Sequence, residues 1–435
     1  MKRVAFCTFG CRLNQYDTEA MRTLLMDEGE YRTVPLTDEA DVYVVNTCSV
    51  TNAADASARK MVRRIHAERP DARIVVTGCY AQRAPQELAA LPGVSLVLGA
   101  ADRPRAAREI ERTRPGEVRV SVSPIAEANV FHEVSITEMM EHSRAFVKVQ
   151  EGCNESCSFC IVPATRGASR SRRPENVLAQ VRELVAGGYT EVVVTGVHVG
   201  DFGLDLPERR RLLPRLIRDI LRVRGLDRFR LSSIEPSTVT DDLIQLAAGE
   251  EKFARHFHVP MQSGSDAVLS RMRRRYTASE FAALVHRIAE RVPDCGIGTD
   301  VIAGFPGETD EDFQRTFDQL AETPLTYAHA FTYSRRPGSA AAEYGGEIPG
   351  DVSRRRTSAL RKLSHDKNRA FRERLVGGVE RVVLEGKRHP ERARLFGLTG
   401  NFVKVDLGPG TSQRTMVRAR VVSVTDDGLA GEVVS

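Results

Sequence analysis

Apolar residues along the chain fall into two series of short runs alternating with amphipathic stretches, followed by a third region of a different kind. In the first series Val4-Ala5-Phe6, Val42-Tyr43-Val44-Val45 and Ile74-Val75-Val76 read as strands. Between the first two, Ala20, Met21, Leu24 and Leu25 mark one face of a helix. Continuous β-branched runs separated by helices predict a parallel sheet. From Arg112 to His142 the pattern weakens around Gly116 and Pro124, with one strand-like run, Val118–Val122, so this stretch reads as a linker. The second series has strands at Ala145–Val149, Glu191–Thr195, Phe229–Ser232, His256–Val259, Gly296–Ile302 and Thr326–Phe331. Helix stripes lie between them, such as Val177, Val181, Leu184 and Val185, or Leu212, Leu213, Leu216, Ile217 and Ile220. Six βα units are too few for a full eight-fold barrel and predict a partial (β/α)6 barrel. The third region has short strands at Glu380–Leu384, Phe402–Leu407, Thr415–Val424 and Leu429–Val433 with glycine turns, which predicts a small β-barrel. The fold class is α/β, with expected domains 1–115, 144–370 and 371–435 and a linker at 116–143.

A length of 435 residues agrees with more than one domain, and 41% hydrophobic residues suffice for sizeable cores. No apolar run approaches the ~18 residues of a membrane span. The opening MKRVAFCTFGCR stops at Arg12 without a small-residue cleavage pattern, so export is not expected. The expected location is the cytoplasm, with no membrane partner. Eight cysteines in such a chain favour metal binding or catalysis over disulfides. The net charge of +5 is mild but unevenly spread. Residues 354–388 hold twelve Lys/Arg against four acids, a net +8. Such a run is commonly a solvated helix face. Leading into a small barrel, it also makes a plausible phosphate-binding surface, which Arg166, Arg170, Arg172 and Arg173 would extend.

The candidate chemistry centres on EGCNESCSFCIVPATRG, where Cys153, Cys157 and Cys160 are spaced C-x-x-x-C-x-x-C. Thiolates this close make strained disulfides but can wrap a metal. A [4Fe–4S] cube is normally held by four thiolates, so three local ligands leave one iron open to a small molecule. Zinc is the alternative, but zinc loops usually pair C-x-x-C with a second pair or with His. The next candidates here are the distant His198 and Cys295. A second set is spread out. Cys11, Cys48 and Cys79 each sit just past a strand of the first series. Ligands of open α/β sheets bind beyond the carboxyl ends of the strands, so these thiols are expected to converge on one edge. Three small buried hydrophobes are the bland reading.

The motif C-x-x-x-C-x-aromatic-C, with Phe159 as the aromatic, resembles the cluster loop of radical S-adenosylmethionine enzymes. GCNESCSFCIVPATRG resembles one branch of them, the methylthiotransferases. The resemblance implies that Cys153, Cys157 and Cys160 hold a [4Fe–4S] cluster whose open iron is chelated by S-adenosylmethionine. It implies that Cys11, Cys48 and Cys79 hold a second [4Fe–4S] cluster carrying the sulfur to be inserted. Cys7 and Cys295 match no motif; Cys7 is expected to point into the core. Stretches following later strands also resemble family signatures. Thr195 and Gly196 would approach the methionine end of the cofactor and Glu235 its ribose. Gln262 and Ser263 would face the site, and Ile302 and Gly304 would flank the adenine. GLTGNFVKVDL resembles the TRAM domain, a small RNA-binding barrel. The implied reaction replaces an aromatic C–H with C–S–CH3 at carbon 2 of a modified adenosine 37, beside the tRNA anticodon. GCRLNQYDTEAM and NTCSVTNAADASARK most resemble the threonylcarbamoyladenosine branch. Isopentenyladenosine is the alternative substrate, and a non-catalytic iron–sulfur RNA-binding protein is the alternative class. The reaction also implies an electron donor and a sulfur source as partners.

Overall fold

The early apolar runs form one six-stranded parallel sheet in the computed structural model, which describes residues 1–28, 31–114, 116–140, 142–385, 394–410 and 415–434. The strand order is Tyr31–Thr33, Lys2–Thr8, Val42–Thr47, Arg73–Gly78, Val94–Leu98, Arg119–Ser121. Every pairing is parallel. Val42–Thr47 is buried along its whole length because the sheet is covered on both faces. Helix Arg12–Asp27 lies on one side and buries Tyr16, Met21 and Leu25. Helix Asn52–Glu68 lies on the other and is started by Thr51, whose hydroxyl accepts from the Ala54 N–H. Arg119–Ser121, expected in the linker, is instead the edge strand of this sheet, paired with Val94–Leu98.

The second series forms an arc of six parallel strands. Ala145–Glu151, Glu191–Gly196 and Arg228–Leu231 pair in that order. Isolated parallel bridges, Phe229 with Phe253 and Ser233 with His258, carry the arc on to His256–His258. Gly296–Ala303 and Tyr327–Thr332 complete it. The first and last strands do not pair, so the barrel is the partial (β/α)6 form expected. Its outer face buries Val147, Val149, Val181, Leu184, Leu216 and Ile220 in one continuous core. Two helices of this domain begin with capping boxes, Thr277 with Glu280 and Thr309 with Asp312.

Helix Gly350–Arg374 leads into a closed barrel of five strands, not four. The additional strand is Arg394–Thr399. Gly397 breaks its apolar alternation, and a Cβ there would lie 2.2 Å from the Val383 carbonyl oxygen. The basic run does not form a single solvated face. Arg356 is buried against Glu308 and Asp310, both at 2.6 Å. Arg361 and Lys367 donate to the carbonyls of Ala330, Ala321 and Thr323. Arg372 is buried and donates to Thr425 and Gly428 of the barrel. Arg354, Lys362 and Arg374 remain exposed, and Lys387 and Arg388 lie outside the described residues.

The small barrel docks on the amino-terminal ends of the central strands. Arg228 donates to the carbonyls of Leu398 and Arg381, and Arg230 to those of Gly400 and Thr399. Both arginines share the buried carboxylate of Glu191, at 3.3 and 2.7 Å. Phe402, in the left-handed region at φ +68°, stacks on His256 with centroids 4.5 Å apart. Gly296 is required at this contact, since a Cβ would sit 2.1 Å from the Asn401 carbonyl oxygen.

Candidate active site

The three-cysteine loop begins where the first strand of the partial barrel ends. Gly152 turns the chain at φ +71°, and a Cβ there would lie 1.9 Å from the Ala168 carbonyl oxygen. The Cys153 N–H donates to Gly167, and the Cys160 N–H closes a turn on Cys157, holding both ends of the loop. Each sulfur has a donor aimed at it. The Glu155 N–H lies 3.4 Å from Cys153 Sγ, the Val162 N–H 3.4 Å from Cys160 Sγ, and Arg274 Nη1 3.0 Å from Cys157 Sγ. Burial pushes the Cys153 thiol up to about 11 and the Cys160 thiol up to about 12, with the neighbouring cysteines adding to it. A metal that replaces these protons removes that penalty, and donors to sulfur then stabilise the thiolates.

The dispersed cysteines do converge. Cys11 precedes helix Arg12–Asp27, Cys48 follows strand Val42–Thr47, and Cys79 opens helix Cys79–Arg83. The turn before Cys79 needs Gly78 at φ +99°, where a Cβ would lie 2.2 Å from the Thr47 carbonyl oxygen. Burial pushes the Cys48 thiol up to about 11, helped by Cys79 and Cys11. A single tetrahedral zinc would draw its sulfurs to about 3.8 Å of one another. Among the described residues, the groups gathered within 4.8 Å are instead His258–Asp300–His329 and Glu155–His198–Asp201, and neither cysteine triplet is so tight. The donor sets therefore fit a larger cube better than one ion. Cys7 is half-buried at the end of its strand rather than in the core. Cys295 is buried, with its Sγ 3.9 Å from the Gly296 carbonyl oxygen.

Arg166 ties the two triplets together. Nε lies 3.3 Å from Cys79 Sγ, and Nη2 bonds Asn14 at 2.6 Å and Asp17 at 3.1 Å. Nη1 pairs with Glu151. Lys148 joins Asp17 at 2.6 Å, as does Arg103 at 2.7 Å. Burial pushes the Asp17 carboxyl up, but Arg103, Lys148 and Arg166 outweigh it and hold it below the usual carboxylate range. Arg170 and Arg172 are also buried, bonding to Ala128, Ala168, Glu133 and Gln180. Arg166 therefore cements the two domains, Arg170 and Arg172 tie the connecting stretch at Ala128 and Glu133 to the central domain, and none of the three extends a phosphate-binding surface; only Arg173 is exposed. Their charged sequence context carries no sign of this role. Replacing Arg166 with leucine leaves Asp17 and Glu151 undercompensated in a buried site. The expected cost is about 3–5 kcal/mol. Denaturant titration of the iron-loaded protein checks it, and an unchanged midpoint would show that the interface does not depend on Arg166.

A cavity of about 220 Å³ opens beside the loop, lined by Phe159, Cys160, Gln262, Asp300, Ile302 and Phe331 among others. Val50 and Thr51 of the first domain also border it. Gln262 is held at φ +63° by parallel bridging to Val301. Ser263 is turned into the protein and bonds Thr316 at 3.0 Å, so it does not face the site. Thr195 and Gly196 end the second strand outside the cavity lining. Glu235 is gripped by Arg274, the same guanidinium that donates to Cys157. Burial pushes the Glu235 carboxyl up against the pull of Arg274. Gly304 gives its N–H to Glu308 and packs on Ser353, where a Cβ would lie 2.2 Å from Oγ. Arg274 was not singled out from the sequence, where it stands inside a run of four arginines broken by one methionine.

A partial barrel carrying this loop defines a radical S-adenosylmethionine enzyme, and the Radical SAM superfamily model matches residues 147–320. The model of Uncharacterized protein family UPF0004 matches residues 3–99. A threonylcarbamoyladenosine tRNA methylthiotransferase of Bacillus subtilis is 39% identical over 93% of this chain and 90% of its own length. One of Aquifex aeolicus is 38% identical over 93% of this chain and 96% of its own. A tRNA-2-methylthio-N(6)-dimethylallyladenosine synthase of Carboxydothermus hydrogenoformans is 33% identical over 90% of each. The chain belongs to the tRNA methylthiotransferase family of radical S-adenosylmethionine enzymes, which use S-adenosylmethionine and two [4Fe–4S] clusters. Among solved structures, the radical S-adenosylmethionine methyltransferase TsrM of Kitasatospora setae shares the fold. Its TM-score is 0.58 at 20% identity, covering 78% of this chain and 77% of that one. No described helix is long and apolar enough to cross a membrane.

Proposed function

We propose that the protein methylthiolates carbon 2 of N6-threonylcarbamoyladenosine at position 37 of tRNA. The observation that carries the reading is the contact of Arg166, from the three-cysteine loop's own helix, with Cys79 of the other triplet at 3.3 Å. A radical source and a sulfur source must face one substrate carbon, and this contact supports a shared space. The choice of substrate rests on the relatives named for it, at 38–39% identity over 93% of the chain. Cys153, Cys157 and Cys160 would hold one cluster, and Cys11, Cys48 and Cys79 the other. When bound, these groups and S-adenosylmethionine supply the radical, the sulfur and the methyl group.

The chain's own residues bind and orient. Ile302 and Gly304 would flank the adenine of the cofactor, with Phe159 on the same cavity and Gly304 also keeping the turn close to helix Gly350–Arg374. Thr195 and Gly196 would present backbone to the methionine end, and Glu235, steadied by Arg274, would meet the ribose. Val50 and Thr51 lie on the same cavity, so the first domain would help exclude water from it. We assign residues 1–115 with the edge strand Arg119–Ser121 to the amino-terminal domain, 122–143 to the linker, 144–370 to the radical core and 371–435 to the barrel. An electron donor and a sulfur source complete the partners, and the cytoplasm is the location.

Cys48→Ala tests the division of labour. The variant is expected to lose about one cube of iron, since a cube depends on its thiolates. It should still form 5′-deoxyadenosine without the methylthiolated nucleoside. Nucleoside mass spectrometry and iron analysis on one preparation decide it, and a normal yield of methylthiolated product would remove Cys48 from the sulfur site.

A further inference from the structure

We propose that Arg12 is a subsite for a carboxylate carried on the N6 group of the substrate adenosine. The inference rests on the proposed function and names the residue that would read the threonylcarbamoyl group. Threonine attached through its nitrogen keeps a free α-carboxylate, which the dimethylallyl group lacks.

The floor of the open barrel is crowded with cations. Arg228 and Arg230 share Glu191, and Arg144 pairs with Glu385 at 2.9 Å. Arg12 is left over. No described residue forms an ion pair or hydrogen bond with its side chain. Its guanidinium lies 5.3 Å from the centroid of Phe402, and its electrostatic neighbours are Arg144, Arg230, Tyr327 and Glu191. A cation among cations, with the one carboxylate of these neighbours already shared by two arginines, is short of an anion. Guanidinium suits a carboxylate because its planar fork donates two parallel hydrogen bonds.

The position agrees with the chemistry. Arg12 follows Cys11, one of the converging thiols, so its backbone starts at the proposed sulfur site while its side chain reaches the floor of the open barrel beside Phe402. The opposite wall is open. On strand Tyr327–Thr332, Ala328 and Ala330 are buried, whereas Tyr327, His329 and Phe331 face inward and are the less buried residues. Phe331 and Asp300 line the cofactor cavity, and Asp300 lies 3.4 Å from His258. His258 and His329 stand 5.6 Å apart between that cavity and Tyr327, whose ring is in contact with His329 at 5.3 Å. A continuous wall therefore runs from the cofactor cavity to the neighbourhood of Arg12. A base held against it has cofactor at one end and an unneutralised cation at the other.

Synthetic anticodon stem-loops supply the test with the full, cluster-loaded chain. One carries N6-threonylcarbamoyladenosine at position 37, a second its methyl ester, and a third dimethylallyladenosine. Losing one member of a desolvated charge pair costs about 2 kcal/mol or more, so the wild type is expected to bind the acid roughly 30-fold more tightly than the ester. Arg12→Gln should weaken the acid alone and abolish the preference, and Arg12→Lys should restore part of it. The ester comparison uses the wild type and does not depend on how a variant folds. Equal binding of acid and ester by the wild type overturns the assignment. So does an Arg12→Gln variant that weakens both alike, which would mark a phosphate contact or a structural role. A wild type that methylthiolates only the dimethylallyl stem-loop overturns the proposed function and this subsite together. Turnover of the acid stem-loop without discrimination against its ester overturns the subsite alone.

Discussion

Cys157→Ala is expected to reduce cleavage of S-adenosylmethionine to background. In the three-cysteine loop it removes one of the only local thiolates, and a cube tolerates the loss of a ligand poorly. Cys157 also accepts from Arg274, which grips Glu235 with the same guanidinium. The substitution thus disturbs the proposed cluster and the proposed ribose contact at once. Cys295→Ala is the matched control. It removes one buried sulfur, in a different part of the barrel wall, from a residue whose contact is a weak one to a backbone carbonyl. The control should keep its iron and its 5′-deoxyadenosine yield. Measured together, the two variants separate loss of a ligand from the general cost of removing a cysteine. Normal 5′-deoxyadenosine from Cys157→Ala would sink the assignment.

Deleting Gly377–Ser435 is expected to destroy the iron content and solubility of the whole chain. Were the terminal barrel only the RNA-binding module that its resemblance implies, its removal would flatten the salt dependence of tRNA binding and leave both clusters in place, since no candidate ligand lies beyond Cys295. Its docking reverses that expectation. Four guanidinium hydrogen bonds from Arg228 and Arg230 end on barrel carbonyls, and Arg372 adds two more. Phe371 and Leu375, at the end of the long helix, belong to the barrel's own core. Hydrogen bonds to charged groups are worth about 1.5–3 kcal/mol each. Together they are comparable with the ~5–15 kcal/mol that holds a typical domain. Thermal scans and iron counts on the truncated chain check this. A soluble truncation with full iron would contradict it and return the barrel to the status of an appendage.

The two domains of repeated βα units were legible because burial on both faces of a parallel strand demands continuous apolar runs, as in Val42–Val45 and Val192–Val194. The three-cysteine loop was legible because its ligands are adjacent in sequence. The dispersed triplet was legible only through the rule that ligands gather beyond strand ends. Less was visible wherever a charged residue turns out to be structural. Arg166, Arg170 and Arg172 read as surface cations, yet each is buried with carbonyl or carboxylate partners contributed from elsewhere in the chain. Arg356, Arg361, Lys367 and Arg372 likewise read as one basic face, and four separate sets of partners consume them.

The sequence by itself determined the local terms: strand periodicity, the glycine turns, the spacing of Cys153, Cys157 and Cys160, and the family those motifs resemble. Tertiary structure alone decided which charges are spent and which remain. A guanidinium is neutralised by whatever the fold brings within about 4 Å, and those partners lie far away along the chain. Arg230 finds Glu191 and the carbonyls of Thr399 and Gly400, whereas Arg12 finds none among the described residues. Nothing in either residue's local sequence distinguishes the two, because the difference is one of position in space.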